Sequence, residues 1–199
     1  LMYLDSDDTY SAETVKEVTD YFETVYDEVD LVTYLIQPYK DGKKMQLHNR
    51  YKYLTQTGIY DLEKNPYIVQ TNINVCIKNR GVENILFNIV NKDGHEDLQY
   101  NNAIVKNKMK IGYCSKGEYQ YNRVNEFSLT HERFYPLYIF EGTLKYYELL
   151  FEEYPHIVPK YFQVMFLHDC SWKLKENILF PHHLHGQEFE NAIQRLNNL

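Results

Sequence analysis

Apolar positions begin at helical spacing and then switch to alternation. Val15, Val18, Phe22, Val25 and Val29 recur at three- and four-residue steps, which predicts an amphipathic helix from a Ser11 cap to about Glu28. From Leu31 the period drops to two. Leu31–Tyr39, Met45–Thr55, Tyr67–Lys78, Val82–Asn91, Ala103–Cys114 and Glu118–Val124 all read as strands rich in β-branched and aromatic residues. Lys40-Asp41-Gly42, Asn79-Arg80-Gly81, Lys92-Asp93-Gly94 and Ser115-Lys116-Gly117 stand between them. Asp-Gly and Gly tolerate the positive φ of tight turns. Short turns between successive strands imply an antiparallel meander, either a sheet or a partly closed barrel.

After Phe127 the texture changes. Tyr138–Phe140 reads as a short strand, and Thr143 caps a helix to Tyr154 that Pro155 stops. Tyr161–Leu167 is a compact apolar run, short for a helix and suited to a central strand. Gln187 to Asn198 closes the chain as an amphipathic helix on Phe189, Ile193 and Leu196. The expected architecture is one α+β domain over residues 1–199, with the N-terminal amphipathic helix and the C-terminal helices packed on the meander.

Composition sharpens this only in places. With 199 residues and 44% hydrophobic content the chain can bury a core without disulfide or metal staples. The 20 tyrosines favour half-buried positions and contact surfaces, because each ring pairs an apolar body with a polar tip. The net charge of −7 is unevenly placed. Between Asp5 and Asp30 ten acids face a single base, Lys16, so the remainder is close to neutral. An acidic front disfavours indiscriminate phosphate-backbone binding, and Glu17, Asp20 and Asp27 become candidate docking residues for a basic protein partner. Cys76, Cys114 and Cys170 are odd in number and far apart, and no N-glycosylation acceptor occurs. Both features point to an intracellular, cytoplasmic setting. No apolar run reaches the roughly 20 residues of a membrane span.

Several chemistries drop out. There is no glycine-rich phosphate loop, no G-x-S-x-G elbow, no C-x-x-C pair and no H-E-x-x-H helix. What remains is the stretch from His168 to His185. His183 and His185 share a side if the segment is extended; His182 and His185 share one if it is helical, with Glu188 a turn on. His168 and Asp169 lie ahead of them. Two imidazoles with a carboxylate can hold a divalent ion that activates water, or can act alone as general base and acid. The string Phe180-Pro181-His182-His183-Leu184-His185 is similar to the histidine-rich tail of a family of small bacterial toxin ribonucleases, which inclines this alternative toward RNA.

Lys106, Lys108 and Lys110 alternate on one predicted strand near Tyr113, Tyr119 and Tyr121, a pattern that fits single-stranded nucleic acid. The leading expectation is a non-enzymatic interaction or accessory protein that presents tyrosine-rich surfaces and the acidic helix to a macromolecular partner, without a cofactor. The alternative is a histidine-centred phosphodiesterase or ribonuclease. Its catalytic residues would be His183, His185 and Asp169, and its metal ligands would be His183, His185, His168 and Asp169.

Overall fold

The computed structural model describes residues 1–79, 85, 96–123, 136–175 and 184–199. Along the chain these form β1 (Thr9–Tyr10), α1 (Thr14–Val25), β2 (Leu31–Lys40), β3 (Lys43–Lys44), a 3-10 turn (Asn49–Lys52), β4 (Gly58–Asp61) and β5 (Val75–Ile77). They continue as α2 (Glu96–Val105), β6 (Lys110–Asn122), α3 (Pro136–Glu152), α4 (Lys160–Lys175) and α5 (Gln187–Asn198). The α+β class stands; the meander does not. The sheet is six-stranded, open and mixed, and its two long strands β2 and β6 run parallel, from Val32 opposite Gly112 to Tyr39 opposite Asn122. β1 and β4 pair antiparallel with the other edge of β6, and β5 and β3 pair antiparallel with the other edge of β2.

The Lys40-Asp41-Gly42 hairpin forms as expected. Asp41 (φ 50°) and Gly42 (φ 72°) both take the left-handed conformation that a two-residue turn requires. By contrast, Ser115-Lys116-Gly117 is no turn. It lies within β6, where the register with β2 slips between Tyr34 and Leu35. A Cβ on Gly117 would lie 2.5 Å from Val18 Cγ2 and 2.9 Å from Tyr34 Cβ, so only glycine lets the bulge press against α1 and β2.

Two predicted strands are mostly irregular for one reason. Met45–Thr55 becomes loop and 3-10 turn, and of Tyr67–Lys78 only Val75–Ile77 is strand. Their backbone groups are satisfied by side chains instead of a ladder. Arg50 donates to the Val69 carbonyl, the Gln70 N–H donates to Tyr161 Oη, and the amides of Gln70 and Asn101 both reach the Asn72 carbonyl. Ala103–Val105 closes α2 rather than opening a strand, because residues 98, 100–102, 104 and 105 are all buried, a pattern no two-sided strand gives. Tyr138–Phe140 lies inside α3, which opens on Pro136, the residue best tolerated in a first helical turn. Tyr161–Leu167 belongs to α4. Its buried face is Tyr161, Phe162, Met165, Asp169 and Lys173, and the last two are charged, which hid the helical stripe. The predicted strand Val82–Asn91 lies outside the described residues apart from Ile85.

The sheet is covered on both faces. Val18, Phe22 and Val25 of α1 pack on Val32, Tyr34, Cys114 and Tyr119. Leu31, Ile77, Ile111 and Tyr113 face the other way, against Leu98 and Ile104 of α2, Tyr147 of α3, and Phe162 and Met165 of α4. α5 closes on α3 through Ala192, Leu184 and Leu144, and Arg195 makes a two-pronged ion pair with Glu148.

Candidate active site

The histidine candidates separate. His182 and His183 lie outside the described residues, and His185 is exposed just ahead of α5. His168, on α4, meets a residue that sequence reasoning passed over: its Nε2 is 3.1 Å from Nε2 of His48. His48 Nδ1 accepts the Arg50 N–H at 3.2 Å, so the single proton of the neutral His48 ring sits on Nε2 and is donated to His168. Both facing nitrogens are thereby occupied with each other. Asp169 is bound to Lys173 in a buried ion pair. Among the described residues no group of three or more His, Cys, Asp or Glu side chains is placed to enclose a metal.

Two of the three acidic surface candidates are engaged in ion pairs, and the third through its backbone only. Glu17 pairs with Lys116 at 3.0 Å and Asp20 with Lys16, while the Asp27 carbonyl accepts from Lys108. Lys106 binds Glu153 and Lys108 binds Asp30, so the three lysines do not form one basic strand face; Lys110 alone of them begins a strand. Burial pushes the Cys170 thiol up to about 11, far from a thiolate nucleophile.

Protonation of the histidine pair is costly. Burial, the Arg50 guanidinium and His168 lower His48 to about 4, and burial foremost lowers His168 as well. The unfolded chain takes up protons below about 6.5 while the folded pair does not, so this contribution to stability is intact above 6.5 and is lost as pH falls toward 4. In melts at pH 7.5, 6 and 5, His48→Gln is expected to lose its disadvantage to the wild type as pH drops. The differential is about 1–2 kcal/mol once partial solvent exposure is allowed for. A pH-independent gap would refute the coupling.

A second constellation forms where the chain starts. Leu1 to Tyr3 run beside β5, with Met2 bridged to Cys76 and the Ile77 N–H on the Leu1 carbonyl. The backbone then turns sharply over Asp5-Ser6-Asp7-Asp8, closed by the Asp8 N–H on the Asp5 carbonyl at 3.2 Å. Tyrosines fix this turn. The Tyr119 hydroxyl accepts the Asp5 N–H at 3.1 Å, and Tyr10 donates to the Tyr3 carbonyl. The Tyr3 and Tyr100 hydroxyls meet at 2.9 Å and tie the segment to α2. Asp8 is 6% exposed; its Oδ1 accepts the Asn122 N–H at 2.7 Å, and its Oδ2 has no hydrogen-bond partner among the described residues.

The first turn of α2 carries Glu96 and Asp97. Burial, then the charges of Glu96 and Asp5, push Asp97 up to about 7, against a backbone hydrogen bond from Ile73 that pulls it down. Asp5 and Asp8 are raised too, mainly by burial and in part by Asp7, with Tyr119 opposing. Two acidic groups from distant parts of the sequence thus share one field. A carboxylate that titrates near neutrality is suited to accept a proton from a substrate hydroxyl. Carboxylates on a tight turn are suited to hold Mg²⁺ or Mn²⁺, which typically takes one or two protein carboxylates and completes its shell with water and substrate phosphates.

No family model matches this chain. It is 27% identical over 182 residues to the minor teichoic acid biosynthesis protein GgaB of Bacillus subtilis (strain 168). The alignment takes in 87% of this chain and 20% of GgaB, so the chain spans about a fifth of that relative's length. Asp5, Asp7 and Asp8 were missed because they read as part of the acidic front between Asp5 and Asp30, and Glu96 and Asp97 because they fall between two predicted strands. The available signal was local: Asp-Ser-Asp-Asp directly after the apolar Leu1–Leu4, and Glu-Asp opening a helix.

Proposed function

We propose that this chain carries the catalytic residues of a divalent-metal-dependent transferase that moves a sugar unit from a nucleoside-diphosphate donor to a hydroxyl group of a cell-surface polymer. The observation that carries the reading is Asp97, raised to about 7 beside Asp5. In this scheme Asp97 takes the proton of the acceptor hydroxyl. The acceptor oxygen forms a bond to the sugar's anomeric carbon, the bond from that carbon to the diphosphate breaks, and the nucleoside diphosphate leaves with the electron pair. Asp5 and Asp7 would hold a divalent ion, which would supply charge neutralisation for the departing diphosphate. The likeness to a teichoic acid biosynthesis protein supports the polymer acceptor. Nucleotide donors are made inside cells, which fits a cytoplasmic setting; among the described residues no helix is long and apolar enough to cross a membrane.

The test is nucleotide release. The chain is incubated with Mn²⁺, a panel of UDP-, CDP-, GDP- and ADP-activated sugars, and wall polymer from Bacillus subtilis as acceptor. One donor is expected to be consumed, with consumption abolished by chelation and by Asp7→Asn. Intact donors throughout the panel would overturn the reading.

A second reading, the accessory module docking a protein partner, has one observation in its favour. A groove of about 460 Å³ between α3 and α4 is lined by Phe151, Phe166 and Leu167, and Ile157 on its rim is 80% exposed. The tyrosines support it less, because Tyr34, Tyr100, Tyr113, Tyr119, Tyr147 and Tyr161 are buried. Tyr53 and Tyr67, stacked and exposed, remain available to a partner.

A further inference from the structure

We propose that the outer face of α4, with the segment 155–159 that leads into it, rests on the surface of a bilayer containing anionic lipids. The inference is independent of the transferase reading, and it assigns to lipid the groove that the docking reading gives to a protein. Lys160, Gln163, Leu167, Ser171, Leu174 and Lys175 are all exposed and recur at helical spacing along one side of α4. Leu167 is 64% exposed and Leu174 48%. Ile157, the most exposed of the large apolar side chains, stands with Leu167 at the groove between α3 and α4. Pro155 and Pro159 bracket it, and their fixed φ angles stiffen the segment that holds it out. Three large apolar side chains presented together call for a partner.

The charges say which partner. The chain carries a net −7, yet this face has no acid. The single acid of α4 is Asp169, which is buried against Lys173. Glu152 and Glu153 close α3, and Glu153 is drawn to Lys106. A lysine stands at each end of the stripe, where its stem can lie along apolar surface while its ammonium reaches lipid phosphates. Protein interfaces are depleted in lysine, whereas apolar residues framed by lysines are the pattern of helices that lie in a membrane surface. At 16 residues α4 is too short to span a bilayer, so it lies on one.

The test is sedimentation of the full chain with sucrose-loaded vesicles of phosphatidylcholine, alone or mixed with an equal part of phosphatidylglycerol. The chain is expected to pellet with the mixed vesicles and to stay in solution with phosphatidylcholine alone. Lys160→Glu and Lys175→Glu should each weaken binding about fivefold, and Ile157→Ser and Leu167→Ser about tenfold each. All four side chains are exposed, so melting temperatures should stay near the wild type. Val15→Ser, on the acidic helix α1 where Val15 is 50% exposed, should bind as the wild type does. A chain left in the supernatant with mixed vesicles, or pelleted equally by both kinds, overturns the inference. So does unchanged binding by Ile157→Ser and Leu167→Ser, or a loss that Val15→Ser shares. A lipid-free dimer that Leu167→Ser converts to a monomer assigns the face to a second copy and likewise overturns it.

Discussion

Replacing Asp97 with asparagine is expected to yield a protein that is more stable than its parent at pH 7.5 and yet lacks the transfer activity proposed above. The two effects share one cause. Asp97 is held up to about 7 by burial and by Glu96 and Asp5, so the folded state binds its proton more tightly than the unfolded chain does. Stability from this group is therefore fully present below the ordinary carboxylate pKa and is lost as pH rises through about 7. Asparagine keeps the shape and removes the charge, so the variant should gain about 1–2 kcal/mol at pH 7.5 and nothing near pH 4. The same substitution removes the proton acceptor, and kcat should fall by about 10²–10⁴. Paired denaturation and nucleotide-release curves across pH check both halves. A variant destabilised at pH 7.5, or one retaining half its turnover, would remove Asp97 from the mechanism.

Arg50→Met is expected to be the most damaging single change to the fold described above. Arg50 is 1% exposed. Its Nη1 donates to the Val69 carbonyl at 3.1 Å, and its Nη2 donates to Tyr51 Oη and to Asn74 Oδ1, each at 2.9 Å. Tyr51 Oη also takes the Ile36 N–H and donates to the Tyr34 carbonyl, so the guanidinium ties the irregular stretch from Val69 to Asn74 to the middle of β2. Methionine fills much of the volume but strands buried acceptors, at roughly 1–3 kcal/mol each and about 3–5 kcal/mol in all. Lysine should not rescue it, because one ammonium cannot reproduce the planar fork. Urea titration should show a lower midpoint with an unchanged slope. A loss below about 1 kcal/mol would mean that the network is redundant.

These two residues also mark how far the sequence could be read. β2, its Asp41-Gly42 hairpin and the closing helix Gln187–Asn198 were legible because local chemistry alone decides them: alternation, positive φ and an apolar stripe. The Met45–Thr55 and Tyr67–Lys78 segments look like strands by the same criteria. They are held in other shapes by Arg50, Asn74, Gln70 and Tyr161, partners 19 to 91 residues away or brought in from α4. Helix α4 was misread because its buried stripe ends in Asp169 and Lys173, whose charges cancel only once they are seen together. The candidate site was hidden for a related reason. Asp5 and Asp97 are ordinary surface-type residues until the fold brings them into one field, whereas the histidines drew attention by being adjacent in sequence.

The parallel pairing of β2 with β6 has a consequence for how the molecule comes together. Partners such as Val32 and Gly112 are about eighty positions apart, so the sheet's central seam demands an early and entropically expensive closure of a long loop. During synthesis the edge of β2 that β6 will cover must stay open until β6 has left the ribosome, whereas β3 and β5 on its other edge emerge earlier. High contact order of this kind predicts slow refolding and a window in which the waiting strand is prone to aggregate.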